Sequence, residues 1–298
     1  LVLGSGGASN TVTAVLNELG AEAVVISRSG ENNYENLQRH EDAAVIVNAT
    51  PVGMYPNTGV SPVDLKRFPK LEGVLDVIYN PARTQLLLDA EALHIPCANG
   101  LWMLVAQAKE SAEDFTGTSI DDAAIAEIHG KLAAQMANIV LIGMPGCGKS
   151  TIGALLADKL GRKLVDADEE IVRLAGKPIP AIFAEDGEAV FRDWELGAAE
   201  ELALGKKQVI ACGGGVIKTP GNARALRQNG PVLWVRRPLS RLATRGRPLS
   251  KGGEALRQME AERTPLYTAA ATAELENNAT LTEAVDKAVE LFEADETL

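Results

Sequence analysis

Gly143-Met144-Pro145-Gly146-Cys147-Gly148-Lys149-Ser150 is the stretch whose residue types and spacing best match a known chemistry. It fits G-x-x-x-x-G-K-[ST], a loop whose backbone N–H groups cradle phosphates. Glycines let those N–H groups turn toward phosphate oxygens where side chains would obstruct the approach. Lys149 would reach the β/γ-phosphates and Ser150 would ligate Mg²⁺. Two acids follow in Leu164-Val165-Asp166-Ala167-Asp168. Asp166 could support Mg²⁺ through water, and Asp168 could orient or deprotonate an attacking hydroxyl. Without the loop, the same acids read as a solvated turn running into Glu169 and Glu170. Arg192 and Glu195 stand one helical turn apart, as a plain helix salt bridge would. Cys212-Gly213-Gly214-Gly215 either exposes N–H groups to a close ligand or makes a loose turn. Arg245 to Gly253 is basic and hinge-like, which a lid over phosphates requires. Arg263, in Arg263-Thr264-Pro265-Leu266-Tyr267, adds a further cation.

These residues need elements to place them. Ile139 to Ile142 is a short apolar strand before the loop, and Thr151 to Leu160 is helical, with Ile152, Leu155, Leu156 and Leu160 on one face. The chain opens on a second unit of the same kind. Leu1 to Leu3 reads as a strand, Gly4-Ser5-Gly6-Gly7-Ala8-Ser9 as a tight turn into a helix to about Leu19, and Ala23 to Ile26 as the next strand. That is a βαβ opening with a dinucleotide-type turn, although Ser9 stands where glycine or alanine is usual. The second strand ends in Ser27-Arg28-Ser29, where NAD would ask for an acid. Arg28 suits the 2′-phosphate of NADP or is simply a solvated loop charge, and this unit leaves both readings open. Val45 to Met54 and Val74 to Pro81 are buried strands stopped by proline or glycine, and Asn99 to Ala108 enters a helix. At the junction, Ser119 reads as an N-cap with Asp121 and Asp122 in the first turn, and no Gly/Ser or Pro-rich spacer separates the halves. Strand–helix alternation throughout predicts two parallel-sheet α/β domains.

From about residue 137 to 298 the chain resembles shikimate kinase. The loop, Asp-x-Asp, Phe-Arg-x-x-Glu, Gly-Gly-Gly, Arg-Pro-Leu and Arg-x-Pro-Leu-Tyr occur in family order. The resemblance implies a P-loop fold like that of the nucleoside monophosphate kinases. It implies ATP and Mg²⁺, with Gly146, Cys147, Gly148, Lys149, Ser150 and Thr151 around the phosphates and Arg247 on ATP from the lid. Asp168, Arg192, Gly214 and Arg263 would contact shikimate, and Lys149, Asp168 and Arg247 would be catalytic. Arg245 would touch adenine, and the adenine loop near Asn277-Asn278 is weakly marked.

Residues 1–132 resemble the Rossmann-type NADP-binding domain of shikimate dehydrogenase. There Gly4, Ser5, Gly6, Gly7, Ala8 and Arg28 would hold NADP(H), Val77 and Gly100 would line the nicotinamide, and Tyr79 and Gln107 would touch the substrate. Read without the family, Tyr79 is a strand-end core aromatic and Gln107 a solvated helix residue. That family's catalytic lysine and aspartate lie upstream of the glycine turn, so a fragment is expected, with a half that binds NADPH yet reduces dehydroshikimate negligibly. The two resemblances imply consecutive steps, 3-dehydroshikimate to shikimate and then phosphorylation of its 3-hydroxyl. Alternatively the first half is a catalytically dead or regulatory NADP-binding module.

Composition adds limits. The 298 residues carry 29 Lys and Arg against 40 Asp and Glu, a net charge of −11, so no general nucleic-acid footprint exists. Cys97, Cys147 and Cys212 have no metal or disulfide spacing, which points to a reducing, cytoplasmic setting. No apolar run is long enough to span a bilayer.

Overall fold

The computed structural model describes residues 1–242 and 253–295. The chain divides into two compact units, Leu1–Ala133 and Ala134–Leu298.

The first unit runs β1 (Val2–Leu3), α1 (Gly7–Glu18), β2 (Val25–Ile26), β3 (Val45–Asn48), β4 (Gly73–Asp76), α2 (Gln85–Ala92), β5 (Cys97–Ala98), α3 (Leu101–Thr116) and α4 (Ala123–Met136). Its five strands are all parallel in the order β2-β1-β3-β4-β5, with Val2 opposite both Val25 and Val47. Strand order reverses on either side of β1, which opens a crevice beyond the carboxyl ends of β1 and β3. Leu3, Ile26, Ile46 and Val74 fill the core with Leu86 and Leu87 of α2. A strand covered on both faces must be apolar almost throughout, hence these short Val/Ile/Leu runs.

The second unit runs β6 (Ile139–Ile142), α5 (Lys149–Leu160), β7 (Lys163–Asp166), α6 (Ala167–Ala175), α7 (Ile179–Glu185), α8 (Gly187–Leu204), β8 (Gln208–Ala211), α9 (Pro220–Arg227), β9 (Val232–Arg236), α10 (Gly253–Ala270), β10 (Ala273–Glu276) and α11 (Leu281–Glu293). Its five strands are again parallel, in the order β10-β9-β6-β8-β7, with β6 central and buried along its whole length. The chain leaves β6 toward β7 on one side and later lays β9 on the other. The carboxyl end of β6 is therefore the switch point where a ligand can enter.

Four expectations need correction. The stretch 45–54 is strand only to Asn48, whose side-chain oxygen accepts from the Thr50 amide at 3.0 Å and turns the chain. The stretch 74–81 is strand only to Asp76, because the Asp76 carboxylate accepts from the Ile78 amide at 3.0 Å and folds the chain into a turn. The strand read as ending with Leu164 to Asp168 stops at Asp166, and Asp168 lies in the first turn of α6, with Asp166 as N-cap accepting from the Asp168 amide at 2.9 Å. At the junction Asp121, rather than Ser119, receives the amide of Ala123 at 2.9 Å, so α4 begins later than the sequence suggests.

Candidate active site

The phosphate loop leaves β6 through Gly143, Gly146 and Gly148, all at positive φ (145°, 85° and 104°). A side chain at Gly143 would place its Cβ 2.4 Å from the Val235 carbonyl oxygen of β9, so that position has no room for one. Gly148 N-caps α5, and the loop thus ends on a helix N-terminus, with free N–H groups and partial positive charge. Lys149 is buried. Its Nζ donates to the carbonyls of Gly143 (2.8 Å) and Met144 (3.1 Å), folding the ammonium back over the loop. Ser150 and Thr151 face solvent in the first turn of α5.

A second group of residues gathers around the three glycines after β8. A Cβ on Gly213 would lie 2.6 Å from Asp168 Oδ1, and one on Gly214 would lie 2.7 Å from Pro145 of the phosphate loop. Asp168 and the loop therefore meet across this turn. The Gly214 carbonyl accepts from Arg263 (2.8 Å) and from the Tyr267 hydroxyl (2.6 Å), both on α10. The Gly215 carbonyl accepts from Arg192 of α8 at 3.4 Å. With the carbonyls so engaged, the N–H groups of the turn remain for a ligand. Arg192 also pairs with Glu195 (2.7 Å) and Glu188 (2.8 Å), so the helix salt bridge is made and leaves donors on the guanidinium to spare. Glu195 is itself held by Asn222 at 3.1 Å.

Desolvation raises the pKa of Asp168, the neighbouring charges of Asp166 and Glu195 push it further up, and Lys149 opposes them. A carboxylate whose pKa is raised is a stronger proton acceptor, and it is placed here beside the loop. Arg245 and Arg247 lie outside the described residues. Among the described residues no cluster of three or more His, Cys, Asp or Glu could hold a metal. The exposed Ser150 hydroxyl and the Asp166 oxygen not engaged in the cap fit an ion held mainly by phosphate oxygens, as Mg²⁺ commonly is.

In the first unit, Gly4 (φ 104°) turns against β3, and a Cβ there would lie 2.9 Å from Thr50 and 3.0 Å from the Ala49 carbonyl. Gly4, Ser5, Gly6, Arg28 and Tyr34 line a recess of about 740 Å³, with Arg28 exposed at its margin. Gly7 and Ala8 open α1 beside it. Gly100 packs so tightly on Val77 that a Cβ would fall 1.9 Å from the Val77 carbonyl oxygen. Gln107 is solvated as the residues alone predicted, but Tyr79 is exposed and not a core aromatic.

Comparison with known proteins bears most directly on the second unit. The family model for shikimate kinase matches residues 145–293, half of the chain. The chain belongs to the shikimate kinase family. A shikimate kinase of Chlorobium chlorochromatii is 47% identical over 131 residues, which are 42% of this chain and 69% of that protein. The structure of an Acinetobacter baumannii shikimate kinase in complex with shikimate is 36% identical, with 54% of this chain and 94% of that one covered and a TM-score of 0.49. Shikimate dehydrogenase 1 from Peptoclostridium difficile is 35% identical over 44% of this chain, with a TM-score of 0.41. This chain spans 53% of that dehydrogenase's length.

Three groups of this shikimate kinase family member escaped the sequence reading. Tyr267 looked like the end of a motif, yet it is 1% exposed, stacks on Trp234 at 5.5 Å between ring centroids, and holds the Gly214 carbonyl. Asn277 grips the phosphate loop through the Cys147 carbonyl at 2.7 Å. In the first unit a buried carboxylate, Asp76, receives Asn48 (3.0 Å), Ile78 (3.0 Å) and Thr84 (2.7 Å) and ties the ends of β3 and β4 together. A polar residue inside an apolar strand, as in Val74-Leu75-Asp76-Val77-Ile78, is the signal that could have found it.

Proposed function

We propose that the second unit transfers the γ-phosphoryl group of ATP to the 3-hydroxyl of shikimate. The observation that carries this reading is the meeting of the phosphate loop, Asp168, Arg192 and Arg263 around the Gly213–Gly215 turn. Shikimate is a hydroxylated carboxylate. The guanidinium groups of Arg192 and Arg263 hold its carboxylate by charge-assisted hydrogen bonds, and a Gly214 N–H adds to the grip. Asp168 orients the hydroxyls and accepts the proton of the attacking one. Lys149 exchanges its bonds to loop carbonyls for phosphate oxygens, and the N–H groups from Gly146 to Thr151 wrap the phosphates. Ser150, and Asp166 through water, would hold Mg²⁺, which would supply charge neutralisation on the phosphates. Arg247 adds positive charge there from the segment before α10.

In the first unit the reading is an NADP(H)-binding, dehydrogenase-like half whose product would be the kinase's substrate. The glycine turn at the N-terminus of α1 suits a pyrophosphate, Arg28 suits the 2′-phosphate, and Val77 and Gly100 suit a close nicotinamide. Tyr79 and Gln107 would serve on the substrate side.

Replacing Arg192 or Arg263 by alanine tests the acceptor site. A charge-assisted bond contributes about 1.5–3 kcal/mol, so KM for shikimate should rise roughly ten- to a hundredfold, with KM for ATP changed far less. Equal effects on both substrates would remove these arginines from the acceptor site.

A further inference from the structure

Asn277 lies just beyond β10, at 3% exposure, in a turn that the sequence associates at most weakly with adenine. Its backbone amide continues the pairing with β9 by donating to the Arg236 carbonyl at 2.8 Å. Its side chain reaches 130 positions back along the chain to the Cys147 carbonyl at 2.7 Å. A carbonyl can only accept, so the amide NH₂ must face it. The contact is close: a Cβ on Gly148 would stand 2.6 Å from Asn277 Nδ2. The turn is fixed on its other side as well, since Thr280 and Glu283 form a capping box that starts α11.

In a trans peptide the C=O and the following N–H point in opposite directions. Anchoring the Cys147 carbonyl to Asn277 therefore fixes the Gly148 N–H away from Asn277. Gly148 is the N-cap of α5, where the phosphates are expected to lie. Gly148, which follows this peptide, sits at φ 104° and as a glycine accepts negative φ equally well, so on its side nothing but the anchor opposes the plane turning over. We propose that Asn277 is a positioning residue for the phosphate loop, holding the Cys147–Gly148 peptide so that its N–H meets the nucleotide phosphates. It acts on the triphosphate and not on the base. The inference rests on the reading of the loop as an ATP site.

The test uses the 298-residue chain with Asn277→Ala, and Asn277→Ser as a second variant whose hydroxyl is too short to reach Cys147. Calorimetry measures affinity for Mg-ATP, for Mg-tripolyphosphate (the phosphates without a base), and for shikimate. A lost hydrogen bond should weaken ATP and tripolyphosphate by the same factor, about three- to tenfold, with shikimate affinity unchanged. Weaker ATP with unaltered tripolyphosphate would place Asn277 on the base instead and overturn the proposal. Unaltered binding of both would overturn it too. Shikimate affinity falling in step would reduce the residue to a general structural role. If the unsubstituted chain binds neither ATP nor tripolyphosphate, the kinase reading fails first, and that result is distinguishable from all the others.

Discussion

At Asp76 a carboxylate only 2% exposed sits at the end of β4, and its behaviour follows from two opposed effects. Burial penalises the charged form, while the bonds from Thr84, Ile78 and Asn48 favour it, and burial wins: the pKa rises from 3.8 to about 6. The folded protein then holds a proton between these two values that the unfolded chain has released. This group's contribution to stability is therefore fully present at low pH and declines as pH rises through that window. A shift of this size corresponds to roughly 3 kcal/mol, as an order of magnitude. Asp76→Asn carries no charge at any pH and loses the dependence. The Tm of the unsubstituted protein minus that of Asp76→Asn should be larger at pH 5 than at pH 7. A difference that is flat, or that grows with pH, would contradict this account. The pKa of Asp168 is raised as well, by desolvation and by the charges of Asp166 and Glu195, and in the proposed reaction a readier proton acceptor beside the phosphate loop would serve the attacking hydroxyl.

Elements decided what could be read in advance. The phosphate loop, the Gly-Gly-Gly turn and the opening βαβ unit were legible because positive φ or the close approach of neighbouring groups demands glycine there, and glycine is visible in a sequence. Tyr267 and Asn277 were not, because each acts on a carbonyl 53 or 130 positions away, and any residue supplies a carbonyl. Strand ends were misjudged where a side chain captured the backbone, as Asp76 captures the Ile78 amide. The βαβ unit carries a prediction of its own. With an arginine where NAD would need an acid, NADPH should bind roughly tenfold or more tightly than NADH, and Arg28→Ala should remove most of that preference. Calorimetry with both cofactors checks it, and equal affinities, or binding of neither, would contradict the reading.

At the scale of the whole molecule, a net charge of −11 gives no hint of a site for anions. The cations that matter are local: Lys149, Arg192 and Arg263 gather at the carboxyl ends of the second sheet, where the switch point and a helix N-terminus already favour negative charge. No described helix is long and apolar enough to cross a membrane. Both units repeat one design, a parallel sheet with a glycine turn leading from its first strand into a helix, and each holds its own nucleotide-type turn. The central claim is that the second of these turns is a working phosphoryl-transfer site. Its most direct test is the rate of ATP- and Mg²⁺-dependent phosphorylation of shikimate by the intact chain and by Lys149→Met. Removing a charge aimed at the transferring group should lower kcat by about a hundred- to a thousandfold, with shikimate affinity retained. Phosphorylation by Lys149→Met at a near-normal rate, or none by the unsubstituted chain, would contradict the account.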